Sequence, residues 1–388
     1  MARKPGLDLL RAIAIVWVMI FHAYLAGYGG GGILRWSGWM GVDLFFALSG
    51  FLIGSQVFTQ IASGSRLDLT DFYIRRSFRT LPAFFVVLAI YMVWPSIRET
   101  TSMMPLWRFL TYSMNLWIDP SRAAFSHAWS LCVEEQFYLL FPALAIALTW
   151  RATLLRTLVV FAVLVVGGMV LRAWLWMHFL APVKVAGGDL GTPYLRYLYD
   201  PTWARLDDLL GGIALAAMRS YGTRGWIWIE RHANVVVAIG VGLIVLCMFG
   251  FEGRRMELSA NVFGDPVLAL GMAALVASAA GERGVLSRLH APGAAWLALA
   301  SYSLYLSHKM VYSQLHGRFA AFVDGHGVWT AVIYAAAVLI VGAALHYSVE
   351  RPFLKLREPV RRLWARKSMQ PASMPNVSPK LESECRLG

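Results

Sequence analysis

An arginine and a histidine lie in the first apolar segment of the chain, where hydrocarbon surroundings tolerate an ionisable side chain only for a reason. Arg11 and His22 are eleven residues apart. At roughly 100° per residue, this spacing returns an α-helix to within about 20° of its starting direction, so both side chains share one face about 16 Å apart. Neutral imidazole has an ordinary pKa of about 6.5 and suits general-base chemistry. One stripe of the predicted helix therefore carries a permanent cation and a candidate base.

Carboxylates and an amide open two further apolar segments. Asp43 lies near the start of the second segment, where an acid can orient an imidazole and stabilise its protonated form. Glu134, Glu135 and Gln136 lie side by side in the fourth. Because neighbouring helix residues point about 100° apart, the two glutamates cannot face the same neighbour. We expect one to serve a reaction centre and the other a structural partner such as an arginine; the alternative is a helix-start role for both.

Three arginines, Arg75, Arg76 and Arg79, precede Pro82 at the predicted mouth of the third apolar segment. Arg76 and Arg79 are spaced to share a helix face, and two guanidinium groups at that spacing suit a polyphosphate. The alternative is a simple positive anchor at the membrane surface, with Pro82 in the first helical turn. Topology alone requires only one or two of these arginines, which favours phosphate binding.

The composition predicts a membrane protein. Of the 388 residues, 58% are hydrophobic and 15% are charged, which excludes a soluble protein with a polar surface, and sixteen Trp and fifteen Tyr suit interfacial belts. With a span of about 20 residues as the ruler, we predict an all-α, polytopic transmembrane bundle in the lipid bilayer. Residues 1–353 would form the transmembrane domain, and 354–388 a basic and then disordered tail. The ten predicted spans are 7–27, 40–61, 78–97, 128–150, 153–180, 203–219, 226–250, 263–280, 293–315 and 327–349.

The distribution of charge predicts the orientation. Arginines and lysines concentrate in every second connection and after the last span, which places both termini in the cytoplasm. The net charge of +13 is then largely topological, and no nucleic-acid partner is needed to explain it. The basic leader has no cleavage site after it, so we expect a retained first span. Cys132, Cys247 and Cys385 lie too far apart in the sequence to indicate a disulfide framework or a metal site.

Some later residues allow more than one interpretation. Arg205 and Asp208 are three residues apart and could neutralise each other. His308 is as compatible with a satisfied intramembrane histidine as with a catalytic one. Pro352 is predicted to stop the last span. Aromatic residues of the loop 181–202 and its end are candidates for stacking on sugars, although interfacial belts would give the same composition.

The order of these motifs resembles the integral-membrane acyltransferase-3 family from Leu7 to about Phe353. The motifs are Leu-Asp-x-Leu-Arg followed by the histidine, Gly-Val-Asp-x-Phe-Phe-x-Leu-Ser-Gly-Phe, Arg-Arg-x-x-Arg-x-x-Pro, Trp-Ser-Leu-x-Val-Glu-Glu-Gln-Phe-Tyr, Ser-Tyr-Ser-Leu-Tyr-Leu-x-His and Glu-Arg-Pro-Phe. The resemblance implies transfer of an acyl group, usually acetyl from acetyl-CoA, to a hydroxyl of an extracytoplasmic glycan or small acceptor at the bacterial inner membrane. Some relatives carry a fused esterase-like domain, for which this chain has no room, so we expect a partner or no second step.

The roles that this resemblance implies fall into three groups. His22 would be the base or a transient acyl carrier, with Glu134 or Asp43 orienting it or binding the acceptor. Donor acyl-CoA would be held by Arg11, Arg75, Arg76 and Arg79. Acceptor-binding candidates are Trp129, Ser130, Glu135, Gln136 and Tyr138.

No metal and no permanently bound cofactor is expected, with acetyl-CoA acting as a substrate. The identities of the acyl group and the acceptor and the oligomeric state stay open. The rival hypothesis is a proton-coupled transporter or flippase of an anion or lipid-linked glycan, in which His22 and the acids would relay protons.

Overall fold

A computed structural model describes residues 4–27, 32–65, 67–149, 153–323 and 328–369. These residues form helices and contain no β-strand. The α-helices are α1 Pro5–Leu25, α2 Ile33–Trp36, α3 Met40–Ala62, α4 Leu69–Val93, α5 Leu106–Leu110, α6 Ala128–Thr149, α7 Leu154–Leu175, α8 Ala181–Val185, α9 Gly191–Tyr194, α10 Asp207–Ser220, α11 Arg224–Arg231, α12 Ala233–Phe251, α13 Asp265–Ala280, α14 Val285–Arg288, α15 Ala294–Val323, α16 Val328–Leu345 and α17 Arg351–Met369. Four π-turns interrupt or extend them, at Trp176–Leu180, Leu195–Tyr199, Ala260–Gly264 and His346–Glu350.

The helical bundle confirms the predicted fold class. Within the described ranges, eight helical segments are long and apolar enough to cross a membrane. The other two predicted spans are helices as well, α10 and α15. Because α10 has 14 residues, it is only about 21 Å long and does not cross a hydrocarbon core of about 30 Å by itself.

Two predicted spans have the wrong boundaries. The third span was predicted to begin at residue 78, but α4 begins at Leu69 because the side chain of Asp68 caps it by accepting a hydrogen bond from the Asp71 amide, at 2.9 Å. Pro82 therefore lies inside this helix rather than in its first turn. The predicted span 226–250 is divided at His232 into α11 and α12.

The prediction that Pro352 stops the last span is also wrong, because the chain passes through a π-turn and continues as α17. In this turn the amide of Arg351 donates to the carbonyl of His346. A wider turn accommodates the missing amide of proline without ending the helix. The tail predicted after residue 353 is thus helical to Met369. Disorder was predicted from about Ser368, and nearly all of that segment, 370–388, lies outside the described residues.

Helix α3 lies at the centre of the bundle and packs closely against α10. A Cβ at Gly50 would meet the carbonyl oxygen of Leu209, and a Cβ at Gly212 would meet that of Ala47. Gly54 faces Ala216, whose Cβ lies 2.7 Å from the position of an added Cβ. The expected use of small residues for close helix contact is therefore confirmed, and this contact fixes α10 beside the residues of α3 that form the site.

The two ends of the bundle differ in structure. At one end, here called the Lys4 end, Lys4 Nζ contacts Glu282 Oε1 at 2.6 Å and Arg361 pairs with Asp71. At the opposite end, here called the long-loop end, the connections 94–127 and 186–206 meet. Gln136 ties these connections together, since its amide nitrogen donates to the carbonyl of Tyr112 at 2.6 Å and its oxygen accepts from Thr202 Oγ1 at 2.5 Å.

Candidate active site

Two cavities meet near the middle of the bundle. The first, here called the arginine cavity, has a volume of about 90 Å³ and is lined by Arg11, Arg76 and Arg79. The second, here called the histidine cavity, is open, has a volume of about 980 Å³ and is lined by His22. Val42 and Tyr305 line both cavities, so these two side chains form a shared wall.

His22 is oriented by a second histidine. His308 Nδ1 lies 2.7 Å from the Tyr305 carbonyl oxygen, so in the neutral ring this nitrogen carries the hydrogen and donates it. His308 Nε2 is then an acceptor, and it lies 3.0 Å from His22 Nδ1. His22 Nδ1, which is also 3.1 Å from the Val18 carbonyl oxygen, therefore carries its own hydrogen. Its Nε2 is left with the lone pair that a general base needs.

A third histidine supports this pair. The ring of His127 lies 5.1 Å from that of His308, centroid to centroid, and its Nε2 is 3.2 Å from the carbonyl of Leu306. On the other side its Nδ1 is 3.9 Å from Glu99 Oε1. The hydroxyl of Tyr305 donates to the His127 carbonyl at 3.0 Å. Helices α6 and α15 are thus held together next to His22.

The arginine cavity brings together three of the four predicted donor-binding residues. The guanidinium of Arg76 lies over the ring of Tyr138, 3.6 Å from its centroid, and its buried Nε has no hydrogen-bond partner. Arg11 and Arg79 line the same space. Arg75 lies elsewhere, because it pairs with Asp71 and lines a separate groove at the Lys4 end.

The two glutamates of α6 diverge, as their adjacent positions predict. Glu134 lines the arginine cavity, where its side chain contacts Ser49 and Tyr138. Glu135 contacts Thr80 of α4 instead. We expected Glu134 or Asp43 to orient His22, but the hydrogen-bond partners of His22 Nδ1 are His308 and the Val18 backbone.

Asp43 belongs to a buried charged cluster rather than to the histidine pair. Its carboxylate pairs with Arg205, and it also contacts the carboxyl of Asp208. Two more ion pairs complete the cluster: Arg172 with Asp207 at 2.6 Å, and Arg255 with Asp265 at 3.0 Å.

The remaining acceptor candidates are distributed between the two cavities and the loops. Trp129 lines the histidine cavity, 5.0 Å from the ring of Tyr199. Ser130 and Tyr138 line the arginine cavity, and Ser130 Oγ lies 2.6 Å from the hydroxyl of Tyr305 in the shared wall. Gln136 has the structural role at the long-loop end described above.

The part of the chain that contains both cavities matches the model of a known sequence family. A family model described as an acyltransferase domain matches residues 4–347. The chain belongs to this acyltransferase family. No solved structure matches it.

Three relatives of the chain have names that specify O-acetyl transfer. Peptidoglycan O-acetyltransferase OatA of Listeria monocytogenes is 26% identical over 372 residues, which are 90% of this chain and 56% of the relative. O-acetyltransferase OatA of Staphylococcus aureus is 28% identical over 263 residues, 64% of this chain and 39% of the relative. The putative peptidoglycan O-acetyltransferase YrhL of Bacillus subtilis is 27% identical over 327 residues, 79% and 48%. The chain spans about half the length of these relatives.

Several residues that line the candidate site were not predicted from the sequence. The role of His308 was left open, although the motif that contains it supplied a signal. Tyr305 and Lys309 lie on the same helix and line the histidine cavity, as does Asp200 in the connection before α10. Burial raises the pKa of the Asp200 carboxyl well above its ordinary value. An isolated acid in a loop gives no sequence signal for such burial.

Proposed function

We propose that this acyltransferase moves an acetyl group from acetyl-CoA to a hydroxyl of an extracytoplasmic glycan, with His22 as the general base. The proposal rests chiefly on one observation, the meeting of an arginine-lined cavity and a histidine-lined cavity at a common wall of Val42 and Tyr305. Both partners of the reaction would approach this wall from opposite ends. The choice of acetyl as the acyl group and of a glycan as the acceptor is based on the names of the O-acetyltransferase relatives.

The chemistry of the transfer matches the groups available. His22 Nε2 removes the proton of the acceptor hydroxyl while the hydroxyl oxygen attacks the carbonyl carbon of the thioester. A carbon–oxygen bond forms and the carbon–sulfur bond breaks. The proton then passes to the leaving thiolate, and CoA departs as the thiol. The hydrogen bond from His22 Nδ1 to His308 keeps the lone pair on Nε2 and stabilises the imidazolium as it forms.

The donor would enter from the Lys4 end, which we assign to the cytoplasm of a bacterial inner membrane. This assignment places the arginines of every second connection inside, in agreement with the positive-inside rule. Arg76 and Arg79 would hold the phosphates of CoA, and Arg11 would hold the arm that carries the thioester. The glycan would reach His22 through the open histidine cavity from the long-loop end.

Replacing Arg76 and Arg79 together by glutamine is expected to raise the KM for acetyl-CoA by at least about tenfold, because two charge-assisted contacts to phosphate are lost. The measurement is transfer of label from [¹⁴C]acetyl-CoA to an alkali-labile ester of a soluble peptidoglycan oligosaccharide, by purified protein in detergent. The rate at saturating donor should change less than the KM does.

Arg75→Gln is the matched control for this measurement. It removes one arginine from the same helix, but Arg75 pairs with Asp71 outside the arginine cavity. Its KM should stay within about twofold of the wild-type value. An equal rise in KM for the control and the double variant would contradict the donor assignment, and failure of the wild-type protein to form any ester would contradict the proposed function.

A further inference from the structure

Lys309 is a cation in the wall of the histidine cavity. Lys309 directly follows His308 in α15, and His308 is the residue that contacts His22. Its ammonium donates a hydrogen bond of 2.7 Å to Ser126 Oγ. An ammonium has three hydrogens to donate, and no carboxylate among the described residues forms an ion pair with it. The charge of Lys309 is therefore available to a molecule in the cavity.

Two acidic side chains share the cavity wall with Lys309 but leave its charge without a direct partner. Glu99 accepts hydrogen bonds from the hydroxyl of Tyr91, at 2.6 Å, and from the amide of Phe125, at 3.2 Å. Asp200 is buried, and burial raises the pKa of its carboxyl well above the ordinary value, which favours the uncharged form. Buried lysine side chains are rare unless an anion pairs with them, so the position of Lys309 suits an anionic ligand.

We propose that Lys309 binds a carboxylate carried by the acceptor close to the hydroxyl that His22 deprotonates. The inference rests on the proposed function and narrows its acceptor to an acidic sugar. A carboxylate carries one charge, which one ammonium neutralises. A phosphate monoester carries more negative charge, so Glu99 in the same wall would repel it more strongly than it would repel a carboxylate.

The rest of the cavity suits the ring of such a sugar. Trp36, Trp39 and Trp129 contribute indole rings, and Tyr194 and Tyr199 contribute phenol rings, to the lining of the same cavity. Flat aromatic surfaces pack against the apolar face of a pyranose, while the hydroxyl groups of the sugar meet the polar side chains. A carboxylate held by Lys309 would fix which hydroxyl of the ring faces His22.

The test compares two amino-sugar disaccharides that differ only in one group, a free carboxylic acid in the first and its primary amide in the second. Isothermal titration calorimetry with the intact purified protein measures the dissociation constant of each. The wild-type protein is expected to bind the acid at least tenfold more tightly than the amide. Lys309→Met should bring the ratio to within twofold, and Lys309→Arg should keep the preference because it keeps the charge.

Lys184→Met is the control, because Lys184 pairs with Glu257 outside the cavity, and it should keep the wild-type ratio. Equal binding of acid and amide by the wild-type protein would overturn the inference, as would a preference that survives in Lys309→Met. A sugar phosphate as third probe binding more tightly than the acid would overturn the choice of carboxylate. If neither disaccharide accepts label from acetyl-CoA in the presence of wild-type protein, the proposed acetyl transfer is overturned whatever the binding ratio.

Discussion

Replacing His22 by alanine is expected to lower the rate of acetyl transfer by about 100- to 10,000-fold, the range by which a positioned general base accelerates a reaction. The loss corresponds to about 3–5 kcal/mol of activation free energy. Binding of acetyl-CoA should persist, because the arginine cavity has no side chain of His22 in its wall. The measurement is the rate of ester formation at saturating acetyl-CoA, with donor binding by calorimetry as the check on folding.

His308→Gln separates positioning from catalysis in the same assay. The amide oxygen of glutamine can accept from His22 Nδ1 but cannot share the positive charge that develops, so we expect a loss smaller than that of His22→Ala and a shifted pH profile of the rate. Acetyl transfer by His22→Ala at the wild-type rate would contradict the assignment of His22 as the general base. A His308→Gln protein with unchanged rate and pH profile would limit His308 to packing.

The second large effect concerns folding. Arg205→Met is expected to lower the free energy of unfolding by about 3–5 kcal/mol, because it leaves the buried carboxylate of Asp43 without its partner. Both side chains are almost completely buried, 2% and 1% exposed, so water cannot replace the lost contact. Thermal unfolding in detergent, followed by tryptophan fluorescence, measures the effect.

The double variant Arg205→Met, Asp43→Leu distinguishes an unpaired charge from lost packing. It should recover much of the stability lost in Arg205→Met, because a buried ion pair replaced by apolar side chains of similar volume is often neutral. Lys184→Met is the surface control, since its pair with Glu257 is 45% and 37% exposed and should contribute about 0–1 kcal/mol. Losses that simply add in the double variant would contradict a direct pairing of Arg205 with Asp43.

Much of the bundle is predictable because a membrane-spanning helix requires an apolar segment of about 20 residues. Every predicted span contains helix, and the close approach at Gly50 follows from the small residues of α3. The boundaries that failed depend on local details. An aspartate cap extended α4 by several residues beyond its apolar part, and a π-turn carried the last helix past Pro352.

The residues that line the candidate site could largely be predicted from their types, but their contact partners could not. Arg11, Arg76 and Arg79 do line one cavity, and His22 lines the neighbouring one. The partners of the charged residues depend on contacts between distant parts of the chain. Asp43 meets Arg205, and His22 meets His308, over sequence separations of 162 and 286 residues. No spacing within one segment indicates which distant residue will pack against it, so the partners of Asp43 and His22 could not be predicted from the sequence.

Donor and acceptor are proposed to reach the site from opposite sides of the membrane, and sealed vesicles can separate the two sides. Inverted vesicles containing the protein would enclose a peptidoglycan oligosaccharide, with [¹⁴C]acetyl-CoA supplied outside. We predict that label accumulates as alkali-labile ester on the enclosed sugar, and that it does not when the same reagents are used with right-side-out vesicles. Ester formation only when donor and acceptor share one side, or equal labelling in both vesicle orientations, would contradict the account.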